Sequence, residues 1–291
     1  MTGFFNVYKE AGYTSHDVVA IIRRLTRGKV GHTGTLDPQA EGVLPICLGR
    51  ATKLSDMVMG QDKSYVAEVV LGVTTDTGDM TGQILCQARV NQTEDVILDT
   101  VEKFRGLQSQ VPPMYSAIKI GGKRLYELAR SGETVERKSR DVRIESIKIV
   151  DFRLMENKFT IDVVCSKGTY IRSFCMDIGE ALGCGAAMGS LVRTRSGGFS
   201  LDRAYKIGEI KDAAVAGNLS DMLLLVEKVL PFPQAFVKPE GLAMAKNGNL
   251  LPFDLVDMPT HIDDKIWLYG PGGLIGLYSI HGSKLRLEVM M

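Results

Sequence analysis

GHTGTLDPQAEGVLPICLGRATK, residues 31–53, is the stretch from which the rest of the chain is best read. Its first half has neither helical nor strand period and is rich in glycine and proline, so the whole stretch is expected to form an ordered loop. Gly31 and Gly34 permit close backbone approach by a ligand. Asp37 precedes Pro38, whose ring disfavours the α region for Asp37 and holds it extended. A carboxylate in such a loop suits a nucleophile or a base, although Asp-Pro by itself more often just opens a turn.

Upstream, Thr14 and Asp17 have the spacing of a capping box. Val18, Ile21, Ile22 and Leu25 then form one helical stripe that Gly28 is expected to end. Downstream, Tyr65, Ala67, Val69 and Leu71 alternate onto one face of a strand, which runs into the acidic turn TTDTGDMTG. A short helix is expected over residues 93–104, two β-rich runs over 144–165, and a helix from Gly168-Thr169 that buries Ile171, Phe174, Ile178 and Leu182. Strands mixed with segregated helices give an α+β domain with a mixed, largely antiparallel sheet. Residues 112–143 hold eight basic and four acidic residues between Pro112-Pro113 and Arg143, a local balance of +4, and read as a basic excursion from that core. From residue 233, after a proline-marked linker, short alternating runs and glycine-rich turns indicate a small β-barrel module. The expected division is therefore 1–232 and 233–291.

Composition limits the function classes. The chain has 291 residues, 45% of them hydrophobic, which suits one large globular domain with an appendage. The opening MTGFFNVYKEAGYTS lacks the basic and apolar regions of a secretory leader, and no apolar run reaches membrane-spanning length. Five cysteines without a C-x-x-C pair argue against a disulfide framework or a zinc site, and for a reducing cytoplasm. No phosphate-binding or dinucleotide fingerprint is present, so neither a metal nor a cofactor is expected. The net charge is only +1, but basic residues cluster at 23–29, 119–143 and 193–195, as a local phosphate-binding face would need.

Four strings occur in order: GHTGTLDPQAEGVLP at 31–45, KSY at 63–65, CSKGTYIR at 165–172 and LVRTRSGGF at 191–199. Together they resemble the TruB family of bacterial tRNA pseudouridine-55 synthases over residues 5–230, and the tail is similar to the PUA-like module that ends those enzymes. The resemblance implies isomerisation of a T-loop uridine by base flipping, in a cytoplasmic enzyme that needs no cofactor, no membrane and no obligate protein partner, and that works as a monomer on the tRNA T-stem-loop. It implies Asp37 as nucleophile, with Arg172 beside it and Tyr65 stacked on the extruded uracil. Tyr170 would lie against the flipped base, Leu191 would form an apolar wall, and His32 would fill the space that the base leaves. Lys9, Lys63 and Arg193 would support substrate binding, and Asp79 would join a polar network that pairs with Arg172. Residues 112–143 would be a thumb that clamps the RNA. One departure is visible: the family's Lys-Pro-x-Gly is Lys9-Glu10-Ala11-Gly12 here, without the stiffening proline.

Three other readings stay open from residues alone. Asp37 and Asp79 could be the paired carboxylates of a glycoside hydrolase, which would leave the basic segments without a role. The scaffold could bind or fold tRNA without catalysis. It could also be the catalytic subunit of a guide-RNA complex, for which no partner-binding tail is seen.

Overall fold

The computed structural model describes residues 1–116, 118–133, 135–261 and 263–291, and of Lys119, Ile120, Arg124 and Arg130 only the backbone. Ala117 and Thr134, and the expected roles of Lys119, Arg124 and Arg130 as thumb cations, lie outside that description.

Among the described residues, ten strands form one sheet. Its main path runs from Tyr205–Lys206 through Gly3–Lys9, Glu41–Leu48, Ala186–Ser196, Lys63–Leu71, Lys158–Cys165 and Arg140–Arg153 to Gly106–Gln110. Two of its pairings are parallel, Gly3–Lys9 with Tyr205–Lys206 and Ala186–Ser196 with Glu41–Leu48, and the others are antiparallel. The sheet is mixed and largely antiparallel, as expected. Helices Ser15–Thr26, Glu94–Glu102, Ile171–Ala181 and Ile207–Ala216 bury Val18, Ile97, Phe174 and Ile210 in one core with Phe5, Ile46, Ala67 and Ile161 of the sheet.

The reading of 31–53 as a loop needs correction. Only about residues 33–40 are loop; Glu41–Leu48 is a strand inside the sheet. Its lack of alternation has a physical cause. Leu44 and Ile46 face the helical core, while Val43 and Cys47 face a second core on the other side of the sheet. A strand covered on both faces carries apolar residues throughout, so a period of two disappears.

The first helix has the expected box, with Thr14 and Asp17 each bonded to the other's backbone. It ends one residue earlier than expected, at Arg27 in the left-handed conformation, φ 51°. Val18, Val19 and Ile22 are its buried apolar positions, whereas Ile21 and Leu25 are only partly buried. The basic excursion is also shorter than expected at its end, because the chain is back in the sheet from Arg140. In between lie a short hairpin at 119–124 and helix Leu125–Arg130.

The C-terminal β-rich module is a six-stranded sheet over residues 234–290. Its ladder begins at Leu251–Pro252 and ends at Val256–Asp257, with no closing pair among the described residues. The expected barrel is therefore an open path, and the short turn Phe253–Leu255 spans the gap between its two end strands. The module shares the second core: Trp267, Leu277 and Val289 pack with Phe4, Val43, Leu54 and Phe199. The buried Trp267 Nε1–H donates to Leu230 O at 2.7 Å, which joins the module to the end of the larger body.

Gly42 sets how near the 33–40 loop comes to the middle of the sheet. It has φ +101°, and a Cβ there would lie 2.3 Å from the Arg193 carbonyl oxygen. Gly42→Ala should therefore destabilise the fold by roughly 2–4 kcal/mol, read as a lower urea midpoint with an unchanged slope.

Candidate active site

The 33–40 loop has few backbone hydrogen bonds of its own, among them Ala40 N to Asp37 O and Thr33 N to Pro45 O, both at 3.1 Å, and three side chains and one backbone amide hold it from outside. The Ser15 hydroxyl donates to Leu36 O at 3.1 Å and accepts from Leu36 N at 2.9 Å. Lys9 Nζ donates to Ala40 O at 2.6 Å and Pro38 O at 3.0 Å, and Gly12 N donates to Pro38 O at 2.9 Å. The Arg193 guanidinium donates to Val43 O at 2.7 Å and Gly34 O at 3.0 Å. Polar side chains thus take the place of a ladder, as buried loop carbonyls require.

Asp37 projects from this braced loop with its side chain 40% exposed, and Arg172 Nε lies 2.9 Å from Asp37 Oδ2. Arg172 is in the first turn of helix Ile171–Ala181 and is 5% exposed. Its other nitrogens donate to Thr77 O at 3.0 Å and Tyr115 O at 2.7 Å. Asp79 Oδ2 lies 3.7 Å from the same Nε. The other oxygen of Asp79, Oδ1, accepts from the Thr77 hydroxyl at 2.8 Å and Thr81 N at 3.0 Å, so the acidic turn is a built support and not a solvated one.

A cavity of about 700 Å³ opens beside Asp37. Asp37, Arg172, Tyr65, Tyr170, Leu191, Lys63 and Arg193 all line it, so seven of the ten candidate residues come together although they are spread over more than 150 positions. On the sheet Leu191 pairs with Ala67 and Arg193 with Tyr65. Two bulges in Ala186–Ser196, between Met188 and Leu191 and between Arg193 and Arg195, re-aim Leu191 and Arg193. Tyr65 is 7% exposed, and burial raises the pKa of its phenol against the opposing effect of Arg193.

Lys9, Lys63 and Arg193 have their polar atoms engaged within the protein. Each is buried, and each spends its donors on backbone carbonyls: Lys63 Nζ donates to Met59 O at 2.7 Å and to Gln61 O. Burial lowers the pKa of both lysines to about 8, while the carbonyls around each favour the ammonium. Arg193 is 1% exposed, so this residue is not part of an outer basic face. A guanidinium there replaces missing loop hydrogen bonds and cannot also meet a solvent-side phosphate. The missing proline after Lys9 leaves the turn intact, because Gly12 at φ +88° makes the tight bend and bonds Pro38.

His32, Lys9 and Asp79 lie outside the cavity lining. His32 is half-buried against His16, with ring centroids 5.5 Å apart, and its Nδ1 accepts from Gly34 N at 3.3 Å. Arg140, counted from sequence only within the basic cluster at 119–143, also lines the cavity, and sequence reading missed Lys167, Tyr115 and Met59 there. Lys167 stood inside the CSKGTYIR string. The contribution of Tyr115 to Arg172 is a carbonyl, for which a sequence has no signal.

Residues 23–171 match the TruB family pseudouridylate synthase N-terminal domain, and residues 172–236 match the tRNA pseudouridylate synthase B C-terminal domain. The chain belongs to the TruB family. The tRNA pseudouridine synthase B of Alkaliphilus oremlandii is 49% identical over 251 residues, 86% of this chain and 82% of that one. The protein of the same name from Bacillus pumilus is 39% identical over 297 residues, 99% of this chain and 96% of that one. Among solved structures, a chain of an H/ACA ribonucleoprotein bound to a substrate RNA containing 2′-deoxyuridine has the same fold. Its TM-score is 0.75 at 24% identity, covering 99% of this chain and 84% of that one.

Burial, then His16 and Arg193, lower the His32 pKa from 6.5 to about 4. Because the folded value is the lower one, the unfolded chain binds more protons between these limits, and the contribution of neutral His32 to stability is lost as pH falls from about 6.5 towards 4. Urea midpoints of wild type and His32→Gln should therefore differ in their pH slope across that window, the variant falling less steeply.

Proposed function

We propose that this chain isomerises a uridine at position 55, in the T-loop of tRNA, to pseudouridine, with Asp37 as the nucleophile. The observation that carries this reading is the Asp37 carboxylate held at 2.9 Å by a buried Arg172 in the wall of a cavity lined by Tyr65, Tyr170 and Leu191. Membership of the TruB family and the printed names of its relatives support the substrate and the reaction class.

The chemistry balances without an outside reagent. The C1′–N1 bond breaks and its electron pair leaves with uracil as a delocalised anion. The ring turns in place, a C1′–C5 bond forms, and the C5 proton passes to water while N1 regains one. Substrate and product are isomers, so no electrons enter or leave. Attack by Asp37 at the sugar or at the base ring makes the same demand on the site: an oriented carboxylate beside a slot that retains the detached base. Arg172 orients the carboxylate. The planar Tyr65 and Tyr170 rings and the Leu191 side chain hold a flat ring without fixing its rotation, which a uracil that must turn requires. Asp79 supports Arg172 from 3.7 Å at the same Nε. Lys9, Lys63 and Arg193 brace the loop and the wall, and His32, neutral at pH 7, is suited to stack where the flipped base has left.

Residues 112–139, with Arg140 and Lys167 at the cavity mouth, would clamp the RNA arm as a thumb. The module at 233–291, taken as an RNA-binding unit appended to a catalytic unit at 1–232, would meet RNA further off. The enzyme is read as a cytoplasmic monomer that needs neither cofactor nor protein partner. Among the described residues no helix is long and apolar enough to cross a membrane.

Incubation with an unmodified tRNA transcript, followed by carbodiimide-dependent primer extension, should give one new stop in the T-loop. Asp37→Asn should lower the single-turnover rate by at least about 10³-fold while tRNA affinity stays within a few-fold. Arg172→Lys should lose roughly 10–100-fold in rate, since a point charge cannot reach Asp37, Thr77 O and Tyr115 O together. A wild type that binds tRNA and leaves no stop would replace this reading with a non-catalytic RNA-binding one.

A further inference from the structure

Gln110 is the last residue of strand Gly106–Gln110, at the edge of the large sheet and just before the basic excursion. It is 2% exposed. Its side-chain amide meets both backbone polar groups of one residue, one in each of the two peptides that flank it: Oε1 accepts from Tyr170 N at 2.8 Å, and Nε2 donates to Tyr170 O at 3.1 Å. Tyr170 is the residue that caps helix Ile171–Ala181, and its own side chain makes no cap hydrogen bond. The Tyr170 carbonyl also accepts from Phe174 N at 3.0 Å, the first turn of that helix. Two further bonds run alongside, from the Ser173 hydroxyl to Val111 O at 2.8 Å and from Arg172 to Tyr115 O at 2.7 Å.

A helix start normally finds its cap within a few residues. Here the cap comes from 60 positions away. The two peptides it fixes flank the Cα from which the Tyr170 ring enters the cavity, and Arg172 follows them and turns towards Asp37. An apolar residue at 110 would fill the same space without fixing the orientation of those two peptides. We propose that Gln110 is a positioning residue for the isomerisation, its buried amide clamping the Tyr170 backbone so that the Tyr170 ring and the Arg172 guanidinium are aimed at the flipped uridine and at Asp37. This rests on the functional reading above. It adds a residue that touches neither substrate nor nucleophile.

The clamp has a chemical signature that a space-filling role lacks. In Gln110→Glu one carboxylate oxygen still accepts from Tyr170 N, but the other faces the Tyr170 carbonyl and repels it. Protonation converts that oxygen into a donor and rebuilds the wild-type pattern. A buried carboxyl beside a carbonyl holds its proton to higher pH than an exposed one, so the switch falls in an accessible range.

The experiment measures single-turnover rates on tRNA at saturating enzyme, with tRNA affinity by filter binding and thermal midpoints in parallel. Gln110→Ala should lose on the order of tenfold to a hundredfold in rate at a temperature where it is folded, with affinity within about threefold of wild type. The rate of Gln110→Glu divided by that of wild type should rise as pH is lowered from about 8 to about 5.5, and the ratio cancels any pH dependence the two proteins share. A wild-type rate in Gln110→Ala, or a Glu-to-wild-type ratio that stays flat with pH, would overturn the proposal. If Gln110→Ala does not fold, the ratio alone decides. Failure of the wild type to make pseudouridine would instead sink the tRNA reading, so the two failures are distinct.

Discussion

A buried guanidinium must be answered on every donor, and at Arg172 the answers come from parts of the chain that are far apart in sequence. Asp37 and Asp79 supply carboxylates, and Thr77 and Tyr115 supply carbonyls. An isolated charge at this depth would be costly, so the motif loop, the acidic turn and the root of the basic excursion are all held to one point. The part-exposed Asp37 is the one carboxylate of the pair that faces the cavity. Catalytic geometry and folding constraint are here the same set of contacts.

The same economy recurs on the other side of the nucleophile. Lys9 and Arg193 are as buried as core leucines, and both are spent on carbonyls of the loop that presents Asp37. A loop stiffened in this way keeps its carboxylate in place without a strand or helix beneath it. It depends on Gly42, the one position where the loop returns to the sheet against the Arg193 backbone. Bulges on the neighbouring strand complete the arrangement by turning Leu191 towards the cavity.

The C-terminal module belongs to the same architecture. Its buried Trp267, Leu277 and Val289 share one core with Val43 and Cys47, on the face of Glu41–Leu48 opposite the helices. The strand that follows the motif loop is thereby packed from both sides, and the loop inherits that rigidity from its C-terminal end.

The sequence by itself determined the local matters. A capping box, a clean alternation from Tyr65 to Leu71 and a helix over Ile171, Phe174 and Ile178 are written in neighbouring residues, and the structure has them. The four motif strings marked Asp37, Tyr65, Tyr170, Leu191 and Arg172, which the fold gathers around one cavity. The tertiary structure decided what depends on partners distant in the chain. Glu41–Leu48 is a strand because two cores cover it, and its own periodicity could not say so. Arg193 and Lys63 look like surface cations by composition, yet they are internal braces because unpaired carbonyls await them. Gln110 and the Tyr115 carbonyl had no local signal at all, because a side chain that caps a helix 60 residues away acquires its meaning only when the sheet edge and the helix start meet.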